Sequence, residues 1–206
     1  RACHGSAPWN GVDSLLIAAQ TVNALQVLQS REMDARKETT LTIGYMQSGQ
    51  NGNTLADTAI LKGTVRSYDE KTRADLQKRI TEIACTTAKA YRGSGKVIFT
   101  SGAPVFINEK ELSGKAFDSI KELLGAERVF TTSMISPDGR VARGGGSEDF
   151  AYVSQKVPAL MISVTAGEKE KGYIYPQHHP KAEFDEDVLP IGTAVYAQLG
   201  TMNYEL

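Results

Sequence analysis

The order in which strand-like and helix-like apolar patterns follow one another over the first hundred residues limits the possible folds more than any other feature. Residues 1–8 are small and extended, and are expected to be the tail of a strand that began upstream. Asp13 then precedes Leu15, Ala18, Val22, Leu25 and Leu28, a helical period with an acceptor side chain at its head. Residues 41–46 read as a strand, and the Gly/Asn cluster at 49–53 as a turn. Residues 59–68 alternate Leu61, Gly63, Val65 and Ser67 against Ile60, Lys62, Thr64 and Arg66, a strand with neither face fully apolar. Asp69 suits the cap of a second helix with Leu76, Ile80, Ile83, Thr87 and Tyr91 on one stripe. Gly93-Ser94-Gly95 ends it, and 96–100 are expected to be a fourth strand. The order βαββαβ predicts a ferredoxin-like α+β unit over 1–104, an antiparallel sheet with two helices on one face.

Beyond Pro104 the pattern changes. Helices are expected at 111–124 and 148–157, a short strand at 128–132, a Gly-rich loop at 137–147, an apolar strand at 159–164 and a last helix after 187. An uninterrupted apolar strand needs cover on both faces and neighbours on its edges. Two strands in about a hundred residues do not supply them. Residues 105–206 are therefore expected to be part of a larger layered α/β domain, so the chain as a whole falls in the α/β class.

With 23 basic and 24 acidic residues the net charge is -1, and no basic stripe invites nucleic acid. No apolar run approaches a membrane span. The chain opens on Arg1 without a signal-peptide pattern, so the reading frame is expected to start upstream. Cys3 and Cys85 have no metal-type spacing and read as free, buried thiols, which suits a reducing, cytoplasmic compartment.

Two of the three histidines lie together in Tyr175-Pro176-Gln177-His178-His179-Pro180. Proline on either side stiffens the backbone and disfavours helix, so the pair sits on a loop. An acidic run, 183–187, precedes the apolar run 188–199, as at the head of a helix. Imidazole is a common metal ligand and a common acid or base. The spacing alone leaves open a surface loop with one solvated and one packed histidine.

Four motifs, in order, resemble the M20 family of metal-dependent peptidases and amidohydrolases. His4-Gly5-Ser6-Ala7-Pro8-Trp9 is similar to the HG-x-x-P-H start of that family's lid domain, with Trp9 where His is common. Gly49 to Asp57 followed by Gly63-Thr64-Val65-Arg66 resembles its Asn-containing turn and G-T-x-R strand. Gly146-Ser147-Glu148-Asp149-Phe150 resembles the S-E-D-F loop of the aminoacylase and hippurate-hydrolase branch, and His178-His179-Pro180 its closing H-x-P. The likeness covers the lid and the last part of the catalytic domain. The upstream segment with the remaining metal ligands and a general-base glutamate has no match here.

The resemblance implies a divalent-metal amidohydrolase, with two zinc or manganese ions in the complete protein. It would cleave the amide of N-acyl or N-aroyl amino acids or small peptides, as a homodimer through the lid. It implies that His178 is a metal ligand, one of the several a catalytic zinc requires. His179 is read as orienting the loop. His4 is implied to steady the substrate carbonyl across the dimer, where a donor must meet developing negative charge. Asn53 and Arg66 are implied contacts of the substrate carboxylate, which a guanidinium grips in bidentate fashion. Glu148 is implied to line the pocket, although a carboxylate at a helix start explains it equally well. The chain alone is expected to be inactive. The alternative is a non-catalytic ferredoxin-like dimerisation or scaffold module.

Overall fold

In the computed structural model, residues 1–100, 102–135 and 146–202 are described. They fall into two compact units, Arg1–Val105 and Phe106–Leu206.

The first unit is built on the long hairpin of β2 (Thr39–Ser48) and β4 (Ala59–Ser67), which pair antiparallel from Thr39↔Ser67 to Ser48↔Ala59. The register slips between Ile43 and Tyr45, so Gly44 is the extra residue of a bulge. Opposite the bulge, a Cβ on Gly63 would lie 2.3 Å from the Thr42 carbonyl oxygen, so the position admits only glycine without a backbone shift. Two helices, α1 (Ser14–Val27) and α2 (Glu70–Ala90), supply the core. Each starts on an aspartate: Asp13 accepts the Leu16 amide at 3.0 Å and Asp69 the Thr72 amide at 2.7 Å. These bonds satisfy amides that have no partner within the helix.

The core is Leu25, Leu28, Leu41, Leu76 and Ile80, with Ile43, Val65, Ile83 and Val97 packed around it. The face of α1 turned inward is Ser14, Ala18, Thr21 and Leu25, with Leu28 beyond it, a stripe at i, i+4, i+7, i+11. Leu15, expected inside, is 49% exposed, because the stripe begins one residue earlier, on Ser14. Burying Ser14 is tolerated because its hydroxyl meets the Ser48 hydroxyl at 3.0 Å and donates to the Ala56 carbonyl at 2.9 Å. Two further short strands, β1 (Cys3–His4) and β3 (Thr54–Leu55), pair antiparallel beside the hairpin's closed end.

The unit is ferredoxin-like in order and layering, but 96–100 do not form the expected fourth strand. Val97 packs on the core and the Cys85 thiol reaches the Gly95 carbonyl, so this segment runs along α2. A ladder needs a neighbouring edge of matching length, and the first strand offers only two residues.

Among its described residues the second unit is helical where it is regular. Helix α3 (Lys110–Leu124) is capped by Glu109, whose carboxylate accepts the amides of Glu111 and Leu112 at 3.0 and 2.6 Å. The remaining helices are α4 (Thr132–Ile135), α5 (Ala151–Ser154) and α6 (Val188–Gly200). Ala116 and Ile120 of α3 pack on Val195 of α6, with Leu124, Val129, Leu160 and Leu199 around them.

Neither strand expected in this half forms. In place of the strand at 128–132 there is a 3-10 turn, Ala126–Arg128, and then α4. The apolar segment 159–164 is irregular. Its first backbone groups are met by 108–109: Glu109 N–H donates to the Ala159 carbonyl at 2.9 Å, and the Asn108 side-chain amide both donates to and accepts from Met161. One amide thus does the work of a rung of sheet. The helix expected at 148–157 contracts to the single turn α5. The Gly-rich loop expected at 137–147 lies outside the described residues as far as 145.

Candidate functional site

The ladder of β1 and β3 sets His4 opposite Thr54, and the Gly5 amide donates to the Asn53 carbonyl at 2.7 Å. Two of the candidate residues, 49 positions apart in sequence, are therefore neighbours. Glycine is required between them: a Cβ on residue 5 would stand 2.9 Å from the Asn53 carbonyl oxygen. The Ala7 amide closes the turn onto the His4 carbonyl at 3.0 Å. The His4 ring takes part as well, with Nδ1 accepting the Ser6 amide at 3.2 Å and 2.7 Å from the Ser6 hydroxyl. Both His4 and Asn53 are exposed. Trp9, where a second histidine was the comparison, is 71% exposed in a 3-10 turn.

Arg66 is not brought to them. It pairs with Thr40 at the open end of the hairpin, whereas Asn53 lies in the connection at its closed end. Seven strand steps from Ala59 to Arg66 span about 23 Å. Arg66 stands on the exposed face of β4, away from the helices.

In the second unit, His178 is exposed and has φ 70°, a left-handed backbone that costs a side-chain-bearing residue about 1 kcal/mol. Its neighbours define that shape. The His179 ring stacks on Tyr175, with centroids 4.4 Å apart and planes 9° from parallel. Its Nδ1 accepts the Lys181 amide at 3.1 Å, and its own amide donates to the Pro176 carbonyl at 3.1 Å.

The loop is bracketed by Lys171, whose ammonium meets Asp185 at 2.8 Å and Asp187 at 3.2 Å. This pairing raises the lysine above its ordinary range, and the lysine in turn holds Asp185 below its own. Asp185 and Asp187 thus fasten the loop, and Asp187 makes no side-chain cap on α6. Glu148 is exposed and its carbonyl accepts the Ala151 amide at 3.3 Å, a helix-start position.

Among the described residues, no three histidine, cysteine or acidic side chains converge as a metal site. An exposed imidazole at His178 is a chemically suitable donor, so the residues present fit one ligand of a metal centre. Cys3 and Cys85 are free and half-buried, less covered than their composition suggested. No helix among the described residues is long and apolar enough to cross a membrane.

Gly5 and Ser6, present in the sequence only as members of the His4 motif, and Lys171 prove to hold the two histidine-bearing segments. Small residues directly after a candidate histidine were the available signal for the first two. A lone lysine fourteen positions from its partner offered none.

The first unit packs two helices on a hairpin and carries His4 on a turn, and the second carries His178 on a loop. Residues 1–92 match the Peptidase dimerisation domain of M20, and the chain belongs to that family. The chain is 33% identical over 190 residues to the uncharacterized hydrolase y4tI of Sinorhizobium fredii, covering 91% of this chain and 44% of the relative. It is 27% identical to the N-acetyl-L-cysteine deacetylase of Bacillus subtilis, covering 92% and 42%. The crystal structure of a putative aminohydrolase from methicillin-resistant Staphylococcus aureus superposes with a TM-score of 0.80 at 27% identity, over 98% of this chain and 50% of that one. The chain spans about half the length of the relatives it matches.

Proposed function

We propose that this chain is the lid and closing catalytic segment of a metal-dependent amidohydrolase acting on N-acyl amino acids or small peptides. The observation that carries this reading is the backbone juxtaposition of His4 and Asn53, set by the His4–Thr54 register and the Gly5 amide donating to the Asn53 carbonyl, inside a domain of the peptidase dimerisation type. The named activity of the B. subtilis relative, removal of an acetyl group from an amino acid, is a reaction of this class.

The roles divide by region. His178 would hold metal, with further ligands from outside the described residues, and two zinc or manganese ions fit the reading. The metal, when bound, supplies an activated water and polarises the scissile carbonyl. His4 donates to the carbonyl oxygen as it gains charge, and Asn53 holds the adjoining polar group of the substrate. Arg66 grips a carboxylate at the far end of the hairpin. His4 and Asn53 on one side and Arg66 on the other are too far apart to meet one small substrate in a single lid. A homodimer in which each site borrows from both lids resolves that. Glu148 lines the pocket entrance. Two free thiols suit the cytoplasm.

The test uses the full-length protein. Metal content by mass spectrometry should drop by at least one ion per two sites in His178→Ala, with hydrolysis of N-acyl amino acids reduced at least a hundredfold. The 206-residue chain by itself should show no turnover. A full-length protein that binds no metal and hydrolyses nothing would leave the scaffold reading in its place.

A further inference from the structure

We propose that Ser6 is a positioning residue that fixes His4 as the tautomer protonated on Nε2, so that the turn offers a hydrogen-bond donor to whatever approaches it. The proposal deepens the role given to His4 above and rests on that reading for its meaning, but its geometry stands independently.

A neutral imidazole carries one N–H and one lone pair, and its partners decide which nitrogen has which. A backbone N–H can only donate. The Ser6 amide lies 3.2 Å from Nδ1 of His4, so Nδ1 must present its lone pair there. The Ser6 hydroxyl, 2.7 Å from the same atom, is then the donor of the pair rather than the acceptor. Two donors on one nitrogen leave the ring proton on Nε2. The ring is exposed, so that N–H remains available to a partner from outside the turn.

The turn is held from three sides. His4 is locked in register with Thr54, the Gly5 amide is tied to the Asn53 carbonyl, and the Ala7 amide is tied back to His4. The close approach at Gly5 leaves no room for a side chain that could displace the ring. Ser6 therefore acts from a backbone already set before any ligand arrives. That matters for the chemistry, because a donor aimed in advance at developing negative charge needs no reorganisation at the moment of reaction. The opposite tautomer would set a lone pair against that charge.

The tautomer is read directly from ring 15N shifts in the 15N-histidine-labelled chain, at about pH 8.5, two units above the ordinary histidine pKa. His4→Gln assigns the His4 signals. His178, for which no ring hydrogen bond is described, is the internal reference. His4 should show the Nε2–H form at least tenfold over the other, with a smaller ratio at His178. Ser6→Ala, which keeps the amide and loses the hydroxyl, should lower the His4 ratio about threefold. Ser6→Thr should restore it.

A His4 ratio no larger than that of His178 overturns the proposal, and so does a ratio unmoved by Ser6→Ala. Should Ser6→Ala unfold the turn, seen as loss of protection at the Gly5 amide, Ser6→Thr alone decides: retention of the native ratio supports the proposal and a fall to the His178 ratio overturns it. None of these readings needs metal, substrate or catalysis. A fixed tautomer together with full activity in full-length His4→Gln would remove the catalytic reading while leaving the positioning intact.

Discussion

Arg1–Val105 and Phe106–Leu206 each start helices on a capping carboxylate and then part company. Asp13, Asp69 and Glu109 each present a carboxylate to the first free amides of a helix. In the first unit the helices close over a nine-rung hairpin, and the core includes two side chains with no exposure at all, Leu28 and Leu76. In the second, α3 and α6 share a small cluster centred on alanine, isoleucine and valine, while Phe130, Ile162, Val164 and Ile174 stay open. A helix satisfies its own backbone, so a good cap and an apolar stripe suffice to make one. A strand depends on a neighbour, and among the described residues only the first unit has one of useful length.

The sharpest way to break this contrast is to hollow out each core. Leu76→Ala should cost about 2–5 kcal/mol, because a fully enclosed leucine leaves a cavity that its neighbours cannot fill. Ile120→Ala, among half-open neighbours that can settle into the gap, should cost about 2 kcal/mol. Urea unfolding followed at probes in each unit measures both. Equal losses would mean that the second cluster is as tightly built as the first.

The helix starts sharpen the comparison on a smaller scale. Asp13→Ala removes a formed cap and should cost about 1 kcal/mol. Asp187→Ala removes no cap bond from α6, and its effect should appear only as a looser Lys171 pairing. Amide exchange at Leu16 and at Leu189 reads the two cases separately.

The smallest effect is one of pH. Hydrogen bonds from Thr72 hold the Asp69 carboxyl below its ordinary 3.8, and the Leu112 and Glu111 amides hold Glu109 below its ordinary 4.5. A carboxyl depressed in the folded state contributes stability that is complete above its unfolded value and disappears as pH falls through the folded one. The second unit should therefore melt at lower temperature as pH drops below about 4.5, and the first as it drops below about 3.8. Asn caps a helix as well as Asp without titrating. Asp69→Asn should flatten that fall in the first unit only, and Glu109→Gln in the second only.

What could be read from the sequence follows the same division. The caps at 13 and 69, both helices of the first unit and the hairpin strands were legible because each signal is local. The segments 96–100, 128–132 and 159–164 carry strand-like residues yet form no strand, because the edge that would complete each ladder is a property of the surroundings. Residues 159–164 have no strand beside them among the described residues, and the Asn108 side chain meets the Met161 backbone instead. Among the candidate residues, the loop carrying His178 and the turn carrying His4 were recognisable from residue type. The meeting of His4 with Asn53 was not, since it depends on a two-residue ladder and one missing Cβ. Nor was the distance of Arg66 from both, since strand direction decides it.

The left-handed backbone at His178 carries a further lesson. Glycine would sit there more comfortably, so His178→Gly should yield a calmer loop and a somewhat hardier protein. An imidazole kept in a place that favours no side chain suggests that the ring is valued for something other than architecture. An engineer seeking only robustness would be drawn to replace it.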